Sequence, residues 1–231
     1  LWPGHDFVVA TRHGMTVGEL AQLVNGEWLS PKANLTVIPI PGYTRNTPFE
    51  ATGRPWVIPS PNMPTVDTAT VYPGMCVFEG VNISEGRGTT RPFEQVGAPF
   101  IDGVALAADL NALGLPGVRF RPAYFQPSFD DFSGQFCGGI QVHVMNRDTF
   151  DPIRTGLHAM QTIWRKYPDQ VTIRSYAGTL MGVPGLENRI KTESVEDIIA
   201  GWQADLAAFK AIRAKYLIYP ESSGANGLRV R

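Results

Sequence analysis

This sequence has few charged residues, few cysteines and no long apolar run, and each scarcity excludes a class of function. Charged residues make up 18% of the chain and the formal net charge is -1, with no basic patch and no acidic tail. A nucleic-acid partner or a charged membrane surface is therefore not expected. No apolar run approaches the length of a transmembrane helix, so we predict no transmembrane segment.

Cysteine is limited to Cys76 and Cys137. Two cysteines do not make a disulfide framework and are too few for a zinc site of their own, so we expect two buried free thiols. A single disulfide between them stays open if the protein is exported. The sequence also lacks His-x-x-x-His and Cys-x-x-Cys metal patterns and a Gly-x-Ser-x-Gly nucleophile elbow. We therefore predict no metal and no other cofactor.

Glycine and proline, by contrast, are abundant, with 24 and 19 residues. Aromatic residues remain at 10%, so we interpret the glycine and proline content as structured turns rather than disorder. A hydrophobic share of 43% is enough to form a full core. We predict one domain over residues 1–220 and a loose tail over residues 221–231, and the start at Leu1 without a methionine suggests a fragment or a processed form.

Hydrophobic periodicity predicts a mixed α/β (α+β) domain in which helices pack in layers on a sheet. Helices are expected after the capping residues Thr16, Asp151 and Ser194 and over residues 104–113. Strands are expected over residues 7–10, 35–40, 75–78, 118–122, 139–144 and 171–173. The helix that begins after Ser194 is expected to be the last long one.

The stretch from residue 81 to residue 94 is crowded with carboxylates, arginines, hydroxyls and glycines, and we expect little of it in an apolar core. Such crowding on flexible backbone usually serves a ligand or a demanding turn. Its carboxylates, together with Glu79 and Asp67 nearby, could supply the acid and base for glycoside hydrolysis, which needs two carboxyl groups roughly 5–9 Å apart. The alternative is that Glu85 pairs with an arginine to lock a turn.

Four arginines are candidates for binding an anionic ligand. Arg87 and Arg91 could hold a substrate carboxylate through paired hydrogen bonds. Arg119 and Arg121 alternate along a predicted strand and share one of its faces. Two arginines on one strand face need carboxylates or a ligand if they are at all buried.

Two histidines have an open role. His13 follows Arg12 at a predicted strand-to-helix corner, where polar side chains often face a cleft. His143 shares a strand face with Gln141 and could line a polar pocket. A structural histidine with satisfied hydrogen bonds remains the alternative for both.

Several motifs spread over nearly the whole chain form one signature. They are Arg12-His13-Gly14-Met15-Thr16, Pro59-Ser60-Pro61-Asn62-Met63-Pro64-Thr65, Tyr72-Pro73-Gly74, Phe78-Glu79-Gly80, Asn82-x-Ser84-Glu85-Gly86-Arg87-Gly88-Thr89-Thr90-x-Pro92-Phe93-Glu94, Gly117-Val118-Arg119-Phe120, Cys137-Gly138-Gly139 and Trp202-x-x-Asp205-Leu206. Together they resemble the NamZ-like exo-β-N-acetylmuramidases, a glycoside hydrolase family formerly catalogued as a domain of unknown function. The block from Ser84 to Thr90 is highly specific, and residues 176–186 are the least typical.

The resemblance implies an enzyme that releases N-acetylmuramic acid from the non-reducing end of peptidoglycan fragments, in bacterial cell-wall turnover and recycling. It implies muramyl saccharides as partners. It also implies a two-domain protein with the active site between its domains, in which this chain is the C-terminal domain and forms one wall of the cleft. The Rossmann-like N-terminal domain is then absent from the chain and is a further partner. Export to the periplasm or the extracellular space is expected, with the cytoplasm left open.

The resemblance also places the family's catalytic glutamates largely in that N-terminal domain. Glu85 and Glu79 are therefore retained only as candidate catalytic residues. The residues predicted to bind substrate are Arg12, His13, Asn62, Asn82, Ser84, Arg87, Thr89, Thr90, Arg91, Glu94, Arg119, Arg121 and His143. The alternative function is a non-catalytic module that binds cell-wall sugar or scaffolds a partner.

Overall fold

The computed structural model describes residues 9–221, which divide into two compact units. One unit spans Trp56–Trp202, and the other combines the residues up to Pro55 with those from Gln203 onwards. The single domain over residues 1–220 stays a prediction. The predicted tail lies outside the described residues from residue 222 onwards, as does the first half of the strand predicted over residues 7–10.

Helices and strands are mixed along the chain. The α-helices are α1 (Val17–Glu27), α2 (Val66–Met75), α3 (Gly103–Ala112), α4 (Pro152–Lys166), α5 (Ser175–Met181), α6 (Leu186–Thr192), α7 (Val195–Ala200) and α8 (Gln203–Arg213). The strands are β1 (Gln95–Ala98), β2 (Val118–Phe125) and β3 (Cys137–Val144), and 3-10 helices lie at Phe49–Thr52, Cys76–Gly80 and Ala214–Tyr216. The predicted mixed α+β class is confirmed. None of the helices within residues 9–221 is long and apolar enough to cross a membrane.

The sheet belongs to the unit Trp56–Trp202 and is antiparallel, with strand order β1-β3-β2. Side chains along β2 and β3 alternate between two faces of the sheet. The face packed into the core carries Val118, Phe120, Ile140 and Val142. The register sets Arg121 opposite Gln141 and Arg119 opposite His143 on the other face, which we call the outer face. Arg119 and Arg121 thus share a face, as their alternation predicted.

Side-chain caps explain where the predicted helices begin. Thr16 and Glu19 form a reciprocal capping box at the start of α1. Asp102 accepts hydrogen bonds from two backbone N–H groups of α3, and Asp151 does the same for α4. Ser194 caps α7 through its hydroxyl oxygen. Each cap satisfies donors that a helix start leaves unpaired, which is worth about 1 kcal/mol. The starts predicted at Thr16, Asp151 and Ser194 are confirmed.

Two glycines explain how α2 and α4 pack together. A Cβ on Gly74 would meet the carbonyl oxygen of Pro152, and a Cβ on Gly156 would meet the backbone of Gly74. The two helix backbones therefore lie directly against each other. This contact brings the buried stripe of α4, which includes Leu157 and Ile163, onto the core of the unit.

The strand predicted over residues 75–78 is wrong, because Met75 ends α2 and Cys76–Gly80 forms a 3-10 helix. A short apolar run that is fully buried has no periodicity by which a helix could be told from a strand. Contacts of this 3-10 helix with α4 and α5 hold it in the helical form.

The strand predicted over residues 35–40 is also wrong. These residues form no regular structure, and Ile38 is 86% exposed. A strand needs a neighbour to pair its backbone groups, and within residues 9–221 no strand pairs with this segment. Val9 and Ala10 likewise show no regular structure, and residues 171–173 form only one bridge, from Ile173 to Val81.

Two further features differ from the prediction. The long last helix divides at Gly201 and Trp202 into α7 and α8. β1 was missed, because four residues with a glycine among them carry too weak a strand pattern to predict. β1 nevertheless matters for the site, since it directly follows the polar stretch that the sequence singled out.

Candidate active site

The polar stretch over residues 81–94, here the 81–94 loop, is mostly buried. This corrects the expectation that little of it joins the core. Ile83 and Phe93 are core residues, and the polar Ser84 between them is buried as well. A backbone bridge between Ser84 and Gly97 joins the loop to the edge of β1. The loop is therefore a rigid part of the unit Trp56–Trp202 and can hold charged side chains in fixed positions.

Glycines at two positions of the loop allow close backbone contacts. Gly86 and Gly88 have φ values of 83° and 75°, which side chains disfavour. A Cβ on Gly88 would lie 2.7 Å from the backbone nitrogen of Phe129, so the 81–94 loop packs directly on the loop over residues 126–136. The backbone N–H of Ser128 confirms the contact, because it donates to the carbonyl of Gly88 over 2.9 Å.

Within residues 9–221, three residues other than glycine have positive φ, and all lie on these two loops. They are Phe93, Asp130 and Phe132, with φ values of 62°, 69° and 59°. Such a backbone is strained for a side chain as large as that of phenylalanine, and strain of this kind tends to collect at functional sites. The place where the two loops meet is therefore a site candidate on backbone geometry alone.

One arginine at this place is surrounded by three carboxylates, and we call the four residues the acidic cluster. Arg87 Nε lies 2.6 Å from Glu85 Oε1, and Arg87 Nη2 lies 3.2 Å from Glu79 Oε1. Asp130 Oδ2 lies 3.8 Å from Arg87 Nε. The guanidinium also sits over the ring of Phe93, with 5.2 Å between its carbon and the ring centroid. With three carboxylates to one guanidinium, the cluster is negative overall when all are ionised.

Glu85 has a strongly perturbed acidity. Its side chain is almost fully buried, and burial raises the pKa of Glu85 to about 7. The charge of Arg87 lowers this pKa, whereas the charges of Asp130 and Glu79 raise it. A carboxyl group with a pKa near neutrality can both donate and accept a proton at neutral pH, which is what acid/base catalysis requires.

A second buried carboxylate lies at the end of the 81–94 loop. Glu94 Oε1 accepts hydrogen bonds from the hydroxyls of Thr68, over 2.7 Å, and Thr65, over 3.3 Å. Its other oxygen lies 3.3 Å from Nη1 of Arg91. Because Thr65 caps α2, the carboxylate of Glu94 sits at the N-terminus of that helix, where a negative charge is favourable. Glu94 thus fixes both the helix start and the guanidinium of Arg91.

The outer face of the sheet carries an arginine held by neutral groups. Arg121 donates from Nε and Nη2 to Oε1 of Gln141, and Nε also lies 3.1 Å from Nε2 of His143. Burial lowers the pKa of His143, and the neighbouring Arg121 lowers it further. A neutral imidazole with an accepting Nε2 fits this contact. Arg119, opposite His143 in the register, is exposed.

Three predicted site residues are engaged in holding the backbone. Asn82 donates to one backbone carbonyl and accepts from one backbone N–H of residues 170–172. Ser84 Oγ accepts from the N–H of Gly86, and Thr89 Oγ1 donates to the carbonyl of Gly86. Of the remaining predicted residues in this unit, Thr90 is exposed and Asn62 is partly buried. Their predicted roles in substrate binding stay predictions.

Arg12 and His13 lie in the other unit, with residues up to Pro55. Arg12 is exposed. His13 Nδ1 accepts from the N–H of Met15 over 3.1 Å, and its carbonyl accepts from Nε of Arg213 over 2.8 Å. Burial and the charge of Arg213 lower the pKa of His13. A structural role accounts for these contacts, and a role in binding stays a prediction.

Sequence reasoning missed Asp130 and Phe93 as members of the site. Asp130 is far from Arg87 along the chain, and only the packing of two loops brings them together. Phe93 carries no chemical signal, although its place beside Glu94 put it within the polar stretch. The available hint was an aspartate in a long aromatic loop, over residues 124–136.

The two cysteines and the other potential metal ligands of residues 9–221 form no joint site. Cys76 and Cys137 are free and buried, as predicted, and burial raises the pKa of Cys76 to about 12. In this part of the chain no three His, Cys, Asp or Glu side chains come together as a candidate metal site.

Family models match almost the whole chain. Residues 70–219 match the model described as exo-beta-N-acetylmuramidase NamZ, C-terminal. Residues 5–67 match the model described as exo-beta-N-acetylmuramidase NamZ, N-terminal. This second match covers a stretch that the sequence had assigned to a C-terminal-type domain, so the chain carries residues of both family domains.

A named relative agrees with the family models. The chain is 45% identical over 216 residues to the peptidoglycan beta-N-acetylmuramidase NamZ of Bacillus subtilis (strain 168). That match covers 92% of this chain but 52% of the relative, so the chain spans about half the length of the curated relative it matches.

Two solved structures resemble this chain in fold. Two DUF1343 family proteins from Bacteroides fragilis are each 29% identical to this chain. The first has a TM-score of 0.86, and the match covers 93% of this chain and 59% of the solved chain. The second has a TM-score of 0.65, and the match covers 90% of this chain and 56% of the solved chain. Because the C-terminal family model covers well over half of the sequence, this chain belongs to the NamZ family of exo-β-N-acetylmuramidases.

Proposed function

We propose that the protein containing this chain is an exo-acting β-N-acetylmuramidase, which releases N-acetylmuramic acid from the non-reducing end of peptidoglycan fragments in cell-wall turnover. Family membership and the name of the Bacillus relative support the reaction class. The observation that carries the proposal is the acidic cluster, in which a buried carboxyl group with a pKa of about 7 shares one guanidinium with a second carboxylate.

Glycoside hydrolysis assigns different tasks to two carboxyl groups. One donates a proton to the glycosidic oxygen as the bond to the sugar breaks, and the other, as a carboxylate, attacks the sugar carbon or activates a water. Glu85 suits the acid, because burial keeps part of its population protonated near neutral pH. Glu79 is the candidate for the carboxylate, and Arg87, bound to both, holds the pair in place.

The non-catalytic alternative is less favoured. A module that only binds sugar gains nothing from a buried carboxyl group that titrates near neutrality, and burying such a charge costs stability. This chain spans about half the length of the relative, which leaves room for catalytic groups elsewhere in the protein. We propose that the remainder of the N-terminal domain, of which residues 5–67 are a part, would complete the cleft.

A chromogenic N-acetylmuramide tests the proposal with the full-length protein. We expect release of the chromophore, and we expect Glu85→Gln to lower kcat/KM by roughly a hundredfold or more. Asp109→Asn is the matched control, because Asp109 is a partly exposed carboxylate on α3 whose partner is Lys166. No release by the wild-type protein would contradict the proposed function. Unchanged turnover in Glu85→Gln would remove Glu85 from the reaction but leave the function standing.

We also propose that the protein acts in the periplasm or the extracellular space. The proposed substrate, peptidoglycan, is assembled outside the cytoplasmic membrane, which supports this location. Cell fractionation followed by the same chromogenic assay should find the activity outside the cytoplasm. Activity confined to the cytoplasmic fraction would contradict the location without touching the reaction.

A further inference from the structure

Two groups of charged residues next to the 81–94 loop have opposite sign. The acidic cluster has three carboxylates to one guanidinium. The second group, here the cationic face, lies where the loop reaches the outer face of the sheet. It contains Arg91, Arg119 and Arg121, with Glu94 as its carboxylate and with Gln141 and His143 as neutral members. The charges of Arg121, Glu94 and Arg91 all act on His143, which places these residues near one another. An anionic part of a ligand is therefore repelled by the acidic cluster and attracted by the cationic face.

The charge of Arg87 is already neutralised by carboxylates of the protein itself. Carboxylates bind arginine best through two adjacent N–H groups of the guanidinium. In Arg87 the Nε and Nη2 groups already face Glu85 and Glu79, and one side of the guanidinium plane lies over the ring of Phe93. A ligand carboxylate that approached Arg87 would be repelled by the carboxylates already bound to it.

Arg121 is in the opposite situation. Its partners, Gln141 Oε1 and His143 Nε2, are uncharged acceptors, and no ion pair within residues 9–221 includes Arg121 or Arg119. The two acceptors hold the guanidinium in one orientation without neutralising it. The guanidinium is therefore a preorganised positive charge on a regular strand. Its Nη1 makes one long contact, 3.5 Å, to the carbonyl oxygen of Pro122.

On the outer face Arg119 and Arg121 are exposed, whereas the other end of this face is covered. Ala123, Phe125 and Cys137 at that end pack against Phe132, which belongs to the loop over residues 126–136. The same loop carries Asp130 of the acidic cluster. The loop over residues 126–136 thus contacts the outer face through Phe132 and the acidic cluster through Asp130.

We propose that Arg121, with Arg119 beside it, binds the carboxylate of an acidic sugar and so selects the substrate. This inference rests on the proposed function, for which the carboxylate is that of the lactyl group of N-acetylmuramic acid. Gln141 and His143 are positioning residues in this scheme, because they orient the guanidinium of Arg121 and need not touch the ligand.

The test compares two substrates and two arginine variants in the full-length protein. One substrate is the chromogenic N-acetylmuramide, and the other is its lactyl carboxamide, which has the same shape without the charge. We expect the wild-type protein to prefer the carboxylate by roughly ten- to a hundredfold in kcat/KM, the range for one charged hydrogen-bonded contact. Arg121→Gln should abolish that preference through KM. Arg165→Gln, an exposed arginine in the last turn of α4, should keep it.

A second variant separates ligand binding from a merely structural role. Gln141→Glu keeps the shape of Gln141 but gives Arg121 an anionic partner in place of a neutral one. If Arg121 binds the ligand carboxylate, this variant loses the preference for the carboxylate while its melting temperature does not fall. If Arg121 only braces the sheet, the variant keeps the wild-type preference, and that result would overturn the inference.

The outcomes separate this inference from the proposed function. Turnover of both substrates with no preference for the carboxylate refutes the inference and leaves the muramidase proposal intact. If the wild-type protein turns over neither substrate, calorimetry with N-acetylmuramic acid and its carboxamide decides the inference by itself. The inference is supported if the wild-type protein binds the acid more tightly than the carboxamide and the Arg121→Gln variant loses this difference. It is refuted if the wild-type protein binds both ligands equally well.

Discussion

Replacing Glu85 by glutamine should stabilise the protein at alkaline pH, although it removes a candidate catalytic group. Burial raises the pKa of Glu85 from 4.5 to about 7. The folded protein therefore binds this proton more tightly than the unfolded chain does. The contribution of this group to stability is fully present below about pH 4.5 and is lost as the pH rises through about 7.

The magnitude follows from the same two values. A tenfold change in a protonation equilibrium corresponds to about 1.4 kcal/mol, so the difference between 4.5 and about 7 amounts to about 3 kcal/mol. Glutamine resembles the protonated carboxyl group in shape and carries no charge. We therefore expect Glu85→Gln to raise the free energy of unfolding by up to about 3 kcal/mol at pH 8 and to leave it nearly unchanged at pH 4.5.

Denaturant unfolding at pH 4.5, 6 and 8 measures this difference for the wild-type protein and the variant. Asp109→Asn is again the control, and its effect should not grow with pH in this way, because Asp109 is partly exposed and paired with Lys166. The reasoning is refuted if Glu85→Gln is as stable as the wild-type protein, or less stable, at pH 8. That result would mean that Arg87 stabilises the carboxylate of Glu85 more than burial disfavours it.

Two further predictions concern the framework of the site. Gly88→Ala should lower the free energy of unfolding by about 3 kcal/mol for two reasons. A Cβ at this position would collide with the backbone of Phe129, and alanine is strained at the positive φ of Gly88. Gly185→Ala, at a similar positive φ with open space around it, should cost only about 1–2 kcal/mol in the same unfolding experiment. Asp151→Ala should cost about 1 kcal/mol by removing the cap of α4, whereas Asp148→Ala in the preceding loop should cost much less. Equal effects within either pair would contradict the geometry.

Local signals carried the part of the fold that could be predicted. The capping residues Thr16, Asp151 and Ser194 mark helix starts because the side chain and the N–H groups it satisfies lie within three residues of each other. The shared face of Arg119 and Arg121 likewise follows from the two-residue period of a strand. Such features depend on the nearest neighbours in the chain, so the sequence contains them in full.

Features that depend on packing could not be predicted. Residues 75–78 are as apolar as a buried strand, but Cys76–Gly80 forms a 3-10 helix that packs against α4 and α5. Residues 35–40 have strand-like composition but, within the described part of the chain, no strand pairs with them. The acidity of Glu85 has the same origin, since its desolvation depends on the two loops and the core around it rather than on its neighbours in sequence.

The two charged groups rest on different kinds of backbone, and this predicts how they respond to substitution. The acidic cluster rests on strained and desolvated residues. The backbone is strained at Asp130 and at Phe93, whose ring contacts Arg87, and the carboxyl group of Glu85 is desolvated. The cationic face is built on regular strands, where Arg121 and Gln141 pair across the sheet with ordinary geometry. Substitutions in the acidic cluster should therefore change stability and turnover together. Substitutions of Arg119 and Arg121 should change the choice of substrate while the stability of the fold stays the same.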